Sequence, residues 1–156
     1  MKNTTPHWIA ISILSVSLIT VLSLSFLGRT EKLEDGRIAV KLENEERDMV
    51  LAEMRLLLEA SHQIIDNLSK DDIKKIEGVA LKVGSKAITT IDMKLAPKLP
   101  AEFRALGFSL HSDFDSIAKM AKDGKSHREI ELKLADSMNK CIACHKTYQL
   151  PVKAQK

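Results

Sequence analysis

The sequence predicts an all-α chain: an N-terminal transmembrane helix followed by an up-down-up-down four-helix bundle. Three observations predict it. Trp8 to Leu27 holds no charged residue, four later segments repeat apolar residues at three- and four-residue steps, and strand signals are absent. The chain has 156 residues, 44% hydrophobic and 29% charged. That suits one ordinary domain and excludes collagen-like, disordered and disulfide-framework classes. Of the 24 Lys and Arg only Lys2 precedes the apolar block, leaving 23 to face 21 Asp and Glu. A near-balance of this kind gives no basic stripe and no reason to expect nucleic acid as a partner.

The first element runs from Ile9 to Leu27, with Trp8 in front and Arg29 behind. About 20 apolar residues at about 1.5 Å each reach across a bilayer core of about 30 Å. A cleavable signal is the alternative, although its apolar region usually runs about 7–15 residues and ends in a small-x-small site. The best such site here is Ser23-Leu24-Ser25. A buried core helix fits less well, because a bundle of this size has no use for a helix apolar all round. Residues 1–28 are therefore expected to be a membrane anchor or signal sequence, and either exports the remainder. The flanking charges lean weakly toward the N-terminus inside.

Residues 29–46 are charge-dense with a single Gly36 and read as a solvated, helix-compatible stalk. Residues 47–151 carry the bundle. Its first stripe is Val50, Leu51, Met54, Leu57, Leu58, Ile64, Ile65 and Leu68, broken by cap-type residues from Ser69 to Asp72. The second runs from Ile73 through Ile76, Ala80, Val83 and Ala87 to Ile91, and ends before Pro97 and Pro100. The third is Phe103, Leu106, Leu110, Phe114, Ile117 and Ala121, stopped by Asp123-Gly124. Ser126-His127-Arg128-Glu129 then has the form of a capping box. The fourth stripe is Ile130, Leu134, Met138, Cys141, Cys144 with His145, and Tyr148, closed by Pro151, with residues 152–156 as a tail. Four helices of similar length with short connections imply antiparallel neighbours.

Both cysteines of the chain lie in Cys141-Ile142-Ala143-Cys144-His145. C-x-x-C-H is the attachment signature of a c-type haem. Residues i, i+3 and i+4 share a helix face, so two thiols can meet two vinyl groups while the imidazole points at iron. A thioredoxin-like site needs a βαβ context, and a structural zinc site needs four ligands, usually from a second cysteine pair. Neither is visible, and a simple disulfide leaves His145 unexplained. One covalent haem c is the expected cofactor, and its volume would account for the scarcity of aromatic residues (4%).

A four-helix bundle with C-I-A-C-H-x-x-Y near its C-terminus resembles the cytochrome c′ family and its low-spin relatives, over roughly Glu45 to Gln149. The resemblance implies a periplasmic haem protein with His145 as proximal ligand and Cys141 and Cys144 as thioether attachments. Members often carry a basic residue directly after the tyrosine, where Gln149 stands here. Dimerisation is frequent among such proteins, so a homodimer is a candidate assembly, but no stripe separates a dimer face from the core.

The far side of the iron decides the function: an open position suits small gases, and a Met/His pair suits electron transfer. Antiparallel topology gathers the start of helix one, the end of helix two and the start of helix three around His145. Met54 is the first candidate distal ligand, on the stripe with Leu51 and Leu58; packing is the ordinary fate of a core methionine. Matching Arg47-x-x-x-Leu51 to the family pattern instead puts a non-ligating Leu51 over the iron. His111 is a further candidate, with Met93 behind it, while Met49 sits off the main stripe. His62 and His127 read as solvated flank residues, Met120 and Met138 as packing, and His7 lies before the apolar block. Arg47 is a candidate haem-propionate contact, where a guanidinium matches a carboxylate.

The expected function is an exported monohaem cytochrome on the periplasmic side of the bacterial inner membrane, passing electrons between periplasmic redox partners and tethered by residues 8–27. It is not expected to be an enzyme, since no nucleophile, base and oxyanion donor come together. The alternatives are a five-coordinate binder of NO or CO, a haem subunit of a membrane complex, and a soluble periplasmic protein after signal cleavage.

Overall fold

A computed structural model describes residues 5–90 and 95–152, with side chains for 7–23, 27–88 and 95–152. Its helices are α1 (Thr5–Leu27), α2 (Asn44–Ser69), α3 (Ile73–Lys82), α4 (Ala101–Lys122) and α5 (His127–Thr147). Three short strands join them: β1 (Thr30–Lys32), β2 (Ile38–Val40) and β3 (Tyr148–Gln149). The bundle helices follow the predicted stripes. Ile64, Ile76, Phe114, Ile117 and Ile130 meet in one central core contributed by α2 to α5. Removing that much apolar surface from water is the main force holding the bundle together.

Two parts of the expected fold class are overturned. Among the described residues, no helix is long and apolar enough to cross a membrane, so the N-terminal transmembrane helix is not upheld. The apolar residues of α1 are not continuous. Ser12, Ser15, Ser17 and Thr20 interrupt them, and the Thr20 hydroxyl donates back to the Val16 carbonyl at 2.8 Å. The chain is also not all-α. Strands β1 and β2 pair antiparallel, with Glu31 opposite Ala39, and β2 pairs in parallel with β3, with Ile38 opposite Tyr148.

The hairpin occupies the segment expected as a charged stalk. Leu33 N–H donates to the Arg37 carbonyl at 2.8 Å and Gly36 N–H to the Leu33 carbonyl at 3.1 Å. Gly36, at φ +85°, supplies the left-handed residue that a short hairpin loop needs. Beyond the loop Ala39, Val40 and Leu42 are buried. Strand β2 is the central strand of the sheet, between β1 and β3.

The second bundle helix is shorter than its stripe. Carboxylate Asp115 on α4 accepts from Ser85 N–H at 3.0 Å, and a Cβ on Gly84 would collide with it. That capture ends α3 at Lys82, and the chain continues through 3-10 turns at Ala87–Thr90 and Ala96–Lys98. At the predicted start of α5 the capping box is formed: Glu129 N–H donates to Ser126 Oγ at 3.3 Å, and Ser126 N–H donates to Glu129 at 3.0 Å. Hydrogen bonds from Ser126, then from Lys125, bring the Glu129 carboxyl down to about 2.

Two contacts position the elements around the motif. Gly28, at φ +64°, lies where a Cβ would stand 2.6 Å from Pro100 N, and Arg29 N–H donates to the Lys98 carbonyl at 2.9 Å. Only glycine allows this close junction between α1 and the turn before α4. Gly28→Ala is expected to cost about 1–2 kcal/mol locally, read as faster exchange of the Arg29 amide while α4 stays protected.

The second contact sets the rotation of α5. Buried Asp113 on α4 accepts from Lys133 at 2.6 Å and from Lys140, two α5 residues on one side of the helix. Burial alone would push this carboxyl up, but the two ammonium donors outweigh it and hold it below the usual carboxylate range. A depressed folded value means its stabilisation is present above the unfolded carboxylate range and is lost as pH falls through the folded value. Asp113→Asn is expected to cost about 1–3 kcal/mol at neutral pH, since both lysines remain partly solvated. Urea titrations at neutral pH and near pH 3 test this: the gap between the two proteins narrows in acid.

Candidate haem-binding site

The site begins with the phase of α5. Ile130, Leu134 and Ser137 are buried, Cys141 and Cys144 are half-buried, and His145 is exposed. Cys141 packs on the central core. Cys144 packs on a second cluster, built from Val40, Leu42, Leu95, Leu99, Phe103 and Tyr148. His145 lies four residues past Cys141 and seven past Met138, so the three share a stripe. Both thiols are free. Burial pushes both upward, helped at Cys144 by the neighbouring Cys141, so they are protonated at neutral pH.

The Met138 end of that stripe borders a gap. Helices α3 and α4, and α4 and α5, pack closely, whereas α2 and α5 barely touch. Between these last two lies an open cleft of about 320 Å3, lined by Ile65, Leu68 and Ser69 of α2 and by Glu131, Leu134, Ala135 and Met138 of α5. Ile65, in its wall, is 52% exposed; outside the cleft, Leu58 of α2 is 68% exposed and Ile142 of α5 51%. Neighbouring helices of a folded bundle rarely leave facing apolar stripes in water, because each buried CH2 is worth about 0.8 kcal/mol. The cleft ends at Met138, one turn before Cys141; a flat apolar group bonded to Cys141 and Cys144 would cover the exposed Ile142 beside them.

Met54 lies on the α2 side of this site. It packs on the same cluster as Cys144, with Val50 and Leu106 alongside. Its level along the bundle is fixed at both ends. Leu68 meets Leu134 across the cleft, and Arg47 reaches the Leu150 carbonyl at 2.9 Å. Antiparallel helices advance one residue up for each residue down, which brings Met54 level with Cys144 and Leu51 level with Thr147. Leu51 is half-buried and packs on neither cluster, and Met49 is exposed.

The other sequence candidates fall elsewhere. His111 is buried, with Nδ1 2.7 Å from the Val83 carbonyl and Nε2 3.7 Å from Glu53 Oε1, so its ring tethers the end of α3 beneath α2. Glu53 Oε1 is itself buried without a hydrogen bond. His127 pairs with Asp71 at 2.9 Å across the two helix turns at the far end of the bundle, His62 is exposed, and His7 lies on α1. Met120 packs on the central core and Met138 lines the cleft. Met93 lies outside the described residues. Arg47 donates through Nε to Leu150 and through Nη1 to Asp48 at 3.3 Å.

Sequence reasoning missed the residues that hold the motif's end in place. Tyr148 stands edge-on to Phe103, ring centres 5.3 Å apart at 79°, and its hydroxyl donates to Glu102 at 3.4 Å. Burial, reinforced by the Glu102 carboxylate, pushes the Tyr148 phenol up. The Asp35-Gly36 turn signal before Ile38-Ala39-Val40 was the one cue that could have exposed the strand beside it.

Among the described residues, no group of three or more His, Cys, Asp or Glu could hold a metal ion. Comparison with protein-family models, with curated proteins and with solved structures returns no match for this chain.

Proposed function

We propose that the protein is an exported monohaem c-type cytochrome that relays single electrons between periplasmic protein partners. The observation that carries the reading is C-x-x-C-H on α5, with both thiols half-buried against apolar clusters and a cleft bordering the same stripe at Met138. When bound, a haem supplies one-electron chemistry at its iron, taking an electron from a reduced partner and giving it to an oxidised one. The chain's own residues do the rest.

Cys141 and Cys144 are the residues that would hold the haem, each through a thioether formed by addition of its S–H across a vinyl group. Their protonated, half-buried state suits an addition in which the thiol hydrogen is retained. His145, on the exposed side of the stripe, provides the proximal imidazole. Met54 would hold the other side of the iron through its thioether, a ligand that raises the reduction potential relative to nitrogen. Leu58, Ile65 and Ile142 would supply apolar contact to the bound group.

Export follows from the same chemistry, since such attachment is made on chains delivered across the membrane. The apolar N-terminal segment is the export signal in this reading, and N-terminal sequencing of mature protein starting near Phe26 would identify cleavage. A reduced-minus-oxidised spectrum with and without carbon monoxide tests the function. A low-spin spectrum that resists carbon monoxide supports the electron carrier; ready binding with a high-spin spectrum replaces it with a gas-binding protein.

A further inference from the structure

We propose that Arg47 and strand β2 form a clasp that positions His145, by holding the residues that follow α5 so that its last turn stays closed. The inference rests on the haem reading above. His145 lies in the final turn of a helix that ends at Thr147. Carbonyls of a last turn lack intrahelical donors, and helix ends open at almost no free-energy cost. An axial ligand carried there would leave the iron each time the turn opened.

The chain beyond this turn is tied from three directions. Strand β3 pairs in parallel with β2, Ala39 opposite Gln149, and β2 is firmly seated because Ala39 and Val40 are buried. Arg47 Nε, on the first turns of α2, donates to the Leu150 carbonyl at 2.9 Å from a side chain only 23% exposed. Tyr148 is anchored on α4 by Phe103 and Glu102. The Tyr148 N–H, held by these contacts, donates to the Cys144 carbonyl and closes the turn that carries His145. Fastening of this kind comes from residues about a hundred positions earlier in the chain, so it forms only when the bundle is complete. It gives Arg47 a different use from the propionate contact expected from sequence.

The experiment uses full-length, haem-loaded protein and compares Arg47→Ala with Arg47→Gln, which keeps an N–H donor but no charge. Backbone amide exchange over residues 144–150 and the ferric spectrum are read together. The clasp predicts that Arg47→Ala speeds exchange there by about tenfold with α4 unchanged, and adds a high-spin component, while Arg47→Gln stays within about threefold of wild type. Ile38→Pro, which removes a β2 donor on the side facing β3, should give the same local signature; if it does not fold, the Arg47 pair decides. Unchanged exchange in Arg47→Ala, with a potential shift shared by both Arg47 variants, overturns the clasp in favour of propionate neutralisation. A uniform rise across the whole bundle also overturns it, as a general structural effect. A wild-type chain of unmodified mass defeats the haem reading instead, and with it the role given to His145.

Discussion

Cys141→Ala/Cys144→Ala, expressed in cells that mature c-type cytochromes, is expected to give a colourless polypeptide of unmodified mass, whereas the wild-type chain carries one covalent haem. The loss is expected to extend to the fold. Helices α2 and α5 make few contacts with each other, and Leu58, Ile65 and Ile142 are exposed apolar side chains that a bound porphyrin would cover. Losing the porphyrin should therefore cost at least the about 3–5 kcal/mol of deleting a large buried aromatic side chain. Mass spectrometry and urea unfolding read the two effects separately. A single replacement leaves one thioether and should fall between the extremes. If wild type and double variant have equal, unmodified mass, the proposed function is wrong.

Met54→Leu should convert a low-spin ferric spectrum to high-spin, with covalent haem retained and carbon monoxide bound readily on reduction. The argument is one of position: Met54 shares a cluster with Cys144 and lies level with it between two fixed contacts of α2 with the α5 end of the chain. Leu matches Met closely in volume, so the fold should change by less than about 1.5 kcal/mol and the spectrum reads ligation alone. Met54→His should restore six-coordination at a lower reduction potential. An unchanged spectrum in Met54→Leu removes Met54 as the ligand. Readily bound carbon monoxide in the wild type would instead favour an apolar distal side and gas binding.

Much of the bundle was legible in the sequence because a helix exposes its burial pattern locally. The stripe Phe103, Leu106, Leu110, Phe114, Ile117 and Ala121 repeats every three or four residues, and four of those six residues enter the central core. Phe103 joins the second cluster. The capping box at Ser126 and Glu129 was likewise readable, since both partners lie within one turn. What misled was hydropathy read without register. Ile38-Ala39-Val40 is too short for its period to be seen, and its partner Tyr148 lies over a hundred residues away. The end of α3 was hidden for the same reason: nothing near Gly84 in the chain announces that Asp115 will take up Ser85 N–H.

By itself, the sequence determined the chemistry on offer, two thiols and an imidazole at helical spacing, and the apolar stripes that make α2 to α5 pack. Covalent order and helix period are local properties, and local properties survive in a string of letters. Only the tertiary structure decided which residues would stand around that chemistry. It packed Met54 and Cys144 against one cluster, committed the His111 ring to Val83, turned a charged stalk into a buried strand, and fastened the chain end through Arg47. Those pairings depend on the relative rotation and level of whole elements. Their energies are sums over contacts distant in sequence, so no short window of residues contains them.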